Sequence, residues 1–127
     1  MNNKGQSLVL FIVLIPVLLI ILFTVYDIGN IVLLKEKIDN INYITTYYGL
    51  DNIDSLDLEN KLEDMITKNK DDIDKVEIDI DNGMIKIKLE DKLDNKISVI
   101  KSLININITS SYVGYLENNK KIIRKDK

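Results

Sequence analysis

Apolar and polar positions divide this chain into two unequal parts. Leu8 to Val25 reads LVLFIVLIPVLLIILFTV, and the 22 residues from Gly5 to Tyr26 include no Asp, Glu, Lys or Arg. As a helix such a run reaches roughly 33 Å, against about 30 Å of bilayer hydrocarbon. At that depth every backbone amide must be satisfied within the segment, so the pattern predicts a membrane-spanning helix. Pro16 predicts a bend, because its ring nitrogen cannot donate to the carbonyl of Ile12. A cleaved secretory signal is shorter and ends in small residues, whereas Asp27-Ile28-Gly29 follows this run, which favours a retained anchor.

Beyond Asp27, apolar residues recur at Ile28, Ile31, Leu34, Ile38, Ile41, Ile44 and Tyr48 with gaps of three and four, the spacing of a helix. The pattern predicts one helix from about Ser7 to Tyr47, with Gly49 as its stop and Lys35, Asn40 and Asn42 off the stripe. That stripe needs a cover, either the chain's own C-terminal domain or neighbouring helices. Asp54 is expected to cap a second helix that buries Leu58, Leu62, Met65 and Ile66.

The sharpest local signal is a hairpin from Lys75 to Glu90 about the turn Asn82-Gly83, a pair suited to two successive positive-φ positions. This turn sets Val76, Ile78 and Ile80 opposite Leu89, Ile87 and Ile85 on one face. On the other face Lys75, Glu77 and Asp79 stand opposite Glu90, Lys88 and Lys86. Ile104, Ile106 and Ile108 alternate with polar residues as a third strand. Ile97, Val99 and Ile100 read as a preceding strand or a connection. Tyr112 and Tyr115 around Gly114 read as a turn or an edge strand. The fold class is therefore α+β, a long N-terminal helix with a membrane-spanning first half packed on a small antiparallel sheet. Its divisions are a leader or cytoplasmic tail at 1–6, a transmembrane helix at 7–26, an extended exposed helix at 27–48 and a small extracytoplasmic α+β domain at 49–127.

Composition narrows the chemistry. The 127 residues include no Cys and no His, which removes thiolate catalysis, disulfides and the commonest proton shuttle and metal ligand. A net charge of −3 argues against nucleic acid as a partner. Charge is segregated: residues 51–96 hold 15 acidic and 8 basic side chains, and residues 97–127 hold 2 acidic and 6 basic. The basic end, KKIIRKDK, reads as a solubilising terminus or as a contact for an acidic region of another subunit. Asp71, Asp72 and Asp74 lack the Gly and Glu spacing of a calcium loop, and no cofactor is expected. Lys4 and the start amine precede the apolar run and Asp27 follows it, so the N-terminus is expected in the cytoplasm.

Lys4-Gly5-Gln6-Ser7-Leu8-Val9, the aliphatic run containing Pro16, and Asp27-Ile28-Gly29 together resemble the TadE-like family of pilin-related membrane proteins that accompany Tad-type pilus systems. The resemblance covers about Lys4 to Asn30. It implies a type IV pilin-like subunit, without enzymatic activity, of a pilus or secretion apparatus. It further implies that a prepilin peptidase cleaves after Gly5 to leave Gln6 first, and that the helix packs with other pilin-like or Tad subunits. Pro16, Asp27, Gly29, Ile31, Ile38 and Ile41 are the positions expected to matter for packing and assembly. Where that family commonly carries an acidic residue, five places after the processed glycine, this chain has Leu10, which points to a priming, tip or membrane-accessory role, or to retention of the leader. The alternative is a generic single-pass binding module of the cell envelope.

Overall fold

The computed structural model describes residues 3–93 and 106–126. The expected strand or connection at Ile97, Val99 and Ile100, and the strand position Ile104, lie outside the described residues.

One helix, α1 (Asn3–Asp51), runs through Pro16 without ending and continues past Asp27 into the domain. At 1.5 Å per residue its 49 residues extend roughly 74 Å. It carries an 18-residue stretch of mean hydropathy 3.4 with no residue buried, long and apolar enough to cross a membrane. Within that stretch Thr24 returns its hydroxyl proton to the carbonyl of Ile20 at 2.8 Å, so its polar group is satisfied inside the helix. Gly49 is not the stop. It lies inside the last turns, where a Cβ would stand 2.6 Å from Cδ1 of Ile85. Glycine is used there for close approach of helix to sheet, and α1 ends two residues later, with Asn52 N–H bonded back to the carbonyls of Tyr48 and Gly49.

The short helix α2 (Leu58–Asn69) buries Leu58, Leu62 and Ile66, with Met65 half-buried, as its spacing predicts. Its cap is Asp57 rather than Asp54, and no side-chain bond is made there. A turn in which Ser55 N–H bonds to the carbonyl of Asn52 delays the helix start and sets Asp57 at φ 59°.

Four antiparallel strands form a meander in the order β1 (Lys75–Asp81), β2 (Met84–Lys92), β3 (Asn107–Glu117), β4 (Lys120–Lys125). The first hairpin has the expected register, Val76 to Leu89, Ile78 to Ile87 and Ile80 to Ile85, about Asn82 and Gly83 at φ 51° and 77°. Two expectations further on are corrected. Tyr112, Gly114 and Tyr115 are neither turn nor edge but the middle of β3, because β3 continues to Glu117. The basic end is not a loose terminus: its first six residues are β4, folded back through Asn118-Asn119 at φ 51° and 64°. That turn reproduces the conformation of Asn82-Gly83 with asparagines, the next residues best able to adopt it.

The core lies between the second half of α1, α2 and one face of the sheet. Ile38, Leu62, Ile66, Ile85, Ile87 and Leu89 are essentially inaccessible to solvent, with Ile41, Leu50, Leu58 and Ile108 around them. Each such side chain contributes about 1.5–3 kcal/mol by leaving water. The architecture is α+β, with one apolar N-terminal helix laid on a small antiparallel sheet.

Candidate functional site

The residues singled out in the sequence fall into two groups along α1. Gly5, Gln6, Leu10 and Pro16 lie on the projecting half, where every side chain up to Phe23 is exposed and a Cβ on Gly5 would meet nothing within 4 Å. They are strung along the rod and are not brought together. Ile31, Ile38 and Ile41 lie on the opposite half and share the face turned to the sheet; Ile38 is fully buried, Ile41 nearly so and Ile31 partly. Asp27 stands at the junction and is fully buried, whereas Gly29 faces outward with open space around it.

The buried face departs from the aliphatic stripe. Ile28, Ile44 and Tyr48 are exposed, and the places they would have filled near the sheet belong to Asn42, Thr45, Thr46 and Gly49. Asn42 is thus not off the stripe but at its centre. Its Nδ2 donates to the carbonyl of Ile87 at 3.0 Å, to the carbonyl of Ser110 at 3.1 Å and to Ser110 Oγ at 3.2 Å. Thr46 Oγ1 donates in turn to Asn42 Oδ1 at 3.3 Å. One helical side chain therefore ties α1 to both central strands, and its polar atoms are compensated where burial would otherwise cost about 1–3 kcal/mol. Beside it, a Cβ on Gly114 would stand 2.5 Å from Thr46 Cγ2, so β3 meets α1 where a side chain on β3 has no room.

Ion pairs close the domain's margins. Lys70, at the end of α2, lies 2.9 Å from Asp91 on β2, with side chains 12% and 6% exposed, and also bonds Asp72. Burial works to lower the Lys70 value, and the bonds to Asp72 and Asp91 outweigh it and hold the ammonium above the ordinary lysine range. Lys121 on β4 pairs with Asp51 at the end of α1 and lies 3.9 Å above the Tyr47 ring. Tyr43 meets Tyr112 edge-on at 6.2 Å, and burial, helped by the charge of Asp39, raises the Tyr112 hydroxyl. Lys86 was expected opposite Asp79, and it is; its ion pair, however, is made with Asp126 at 2.9 Å. That bond raises Lys86 and lowers Asp126.

A cleft of about 470 Å³ lies along β3 where β4 has ended, lined by Lys35, Lys86, Lys88, Lys125, Asp39 and Asp126 among others. Lys35 donates there to the carbonyl of Thr109 and pairs with Asp39 at 3.1 Å. Among the described residues no three of Asp, Glu, His or Cys are grouped to hold a metal ion. No protein-family model, curated protein or solved structure matches this chain. The plan of one apolar N-terminal helix and a small antiparallel sheet agrees with a generic pilin-like topology and fits a membrane-anchored structural module.

Asn42, Ser110 and the Lys70–Asp91 pair are what residue-by-residue reading missed. The available signal for Asn42 was its place, one residue after Ile41 and four before Thr46 on the helical repeat.

Proposed function

We propose that this chain is a non-enzymatic, pilin-like structural subunit of the TadE-like kind, serving a Tad-type pilus or secretion apparatus. The first half of α1 spans the cell membrane, the N-terminus is cytoplasmic and the α+β domain stands outside. Prepilin peptidase cleaves after Gly5 and leaves Gln6 at the mature N-terminus. The observation that carries this reading is the continuity of α1: exposed and apolar for its first half, then buried along one face against a small sheet without any break. A leader placed before the apolar run, rather than after it, preserves the anchor when removed. Mass spectrometry of the membrane-extracted chain tests it: a mature N-terminus at Gln6 is expected, and intact Met1 in all molecules counts against processing.

Leu10 favours a second reading, in which the chain serves as an accessory anchored module rather than as filament body. A leucine cannot form an ion pair with a neighbour's new amine. Crosslinking to pilus components in cells separates the two.

A further inference from the structure

The sheet has two open edges, and they carry opposite charge. Among the described residues nothing pairs with the outer side of β1 or of β4. β1, of sequence KVEIDID, points Glu77, Asp79 and Asp81, with Lys75 at its start, to the face away from α1, and none of the three carboxylates makes an ion pair among the described residues. Lys88 and Lys86 on β2 stand opposite Glu77 and Asp79, and the ion pair Lys86 makes is with Asp126. β4, of sequence KKIIRK, points Lys120 and Arg124 to that same face, and these too lack ion pairs there.

We propose that the β4 edge of one copy pairs antiparallel with the β1 edge of the next, continuing the meander from subunit to subunit. Charge disfavours β4 against β4, which opposes cations; β1 against β1 opposes Glu77 to Asp79 but sets Lys75 against Asp81, and is excluded by direction. Direction agrees. β1 runs opposite to β4, so an antiparallel β4–β1 joint keeps every element of the second copy pointing as in the first. Both anchors then enter one bilayer from the same side. Antiparallel pairing of two like edges would turn the second anchor away from the membrane. This step rests on the membrane-anchored reading above. Lysine on an exposed edge is also a common guard against aggregation. A guard of one sign on both edges would forbid all pairing, whereas opposite signs leave this one pairing open.

The strand lengths, seven and six residues, together with the matching of inner and outer faces, fix a register. Lys120 stands opposite Asp81 of the next copy, Arg124 opposite Glu77, and Ile123 opposite Ile78 on the inner face. All six residues of β4 are then paired. The joint is heterologous, so it repeats into a ring or an open row. It is small, and confinement to one membrane supplies the effective concentration it needs.

Cysteine pairs test it in the full-length chain in membranes, where no native cysteine interferes. Within one chain the two edges are three strand spacings apart, about 14 Å, beyond disulfide reach, so any bridge is between copies. The double variant Glu77→Cys/Arg124→Cys is expected to give dimers, trimers and higher species on oxidation. Each single variant alone gives none, and the two singles mixed stop at dimers. Adding Asp81→Lys to the double variant lowers the yield about five-fold, and adding Lys120→Glu as well restores it. Self-crosslinking of Arg124→Cys alone, a membrane-held double variant with no ladder, or failure of the charge swap to restore it overturns the proposal. Release of the chain by a salt wash instead overturns the anchoring reading.

Discussion

Asn42 and Ser110 lie 68 residues apart in sequence and meet through two contacts, Nδ2 to the carbonyl at 3.1 Å and to Oγ at 3.2 Å. The same amide reaches Ile87, so the long apolar helix is fastened to the sheet by a polar side chain in an otherwise aliphatic core. Asn42→Ala is expected to destabilise the domain by about 2–3 kcal/mol, because it leaves a cavity and removes the donor. Ser110→Ala should cost about 1 kcal/mol, and the double variant less than the sum, since the two share one network. Thermal unfolding in detergent, followed by circular dichroism, measures all three.

Gly114→Ala should cost about 1–3 kcal/mol through overpacking against Thr46 Cγ2. Thr46→Ser removes that methyl and keeps the hydroxyl bonded to Asn42, so it should recover most of the loss. Equal instability of Gly114→Ala with and without Thr46→Ser would show that the close approach is not the cause.

Lys70→Met leaves Asp91 buried without its cation and is expected to cost about 3 kcal/mol. Lys70→Met with Asp91→Leu should regain most of this, as an apolar pair of similar size replaces the ion pair. Comparison of denaturant midpoints between the single and double variants decides it.

The pH profile follows from the shifted groups. Asp72 and Asp126 are lowered by their lysine partners, so their contribution is present above about pH 4 and is lost as pH falls through their depressed values. Lys70, Lys86 and Lys121 are raised, so theirs is present below about pH 10.4 and is lost as pH rises through the elevated values. With no histidine in the chain, melting temperature should stay flat from about pH 5 to 9. A step near neutrality would contradict this.

Membrane retention is testable with charge placed in the apolar run. The intact chain should resist a salt wash and need detergent for release. Leu14→Arg/Leu18→Arg adds about 2.5–3.5 kcal/mol per charge to insertion and should move the chain to the soluble or aggregated fraction.

Local rules made parts of this fold legible and left others hidden. The first hairpin could be read to the residue because one turn pair and two charge-matched faces all select a single register. The long exposed apolar helix could be read because an uninterrupted aliphatic run of that length leaves few other states open. The second hairpin was hidden: Asn118-Asn119 is a weaker turn signal than Asn-Gly, and a basic strand at a sheet edge has the composition of a loose terminus. Asn42 and Gly49 were hidden for a different reason. Their roles depend on which strand crosses the helix at that height, a fact absent from any window of local sequence. Lys86 shows both sides at once, its position fixed by the hairpin and its partner by β4.

On the membrane-anchored reading, a helix continuous from bilayer to domain behaves as a shaft. The projecting half of α1 and the half that forms the spine of the sheet share one unbroken run of peptide units, with Asp27 buried where they meet. Twisting or pulling above Pro16 is therefore passed to the strands through the helix itself.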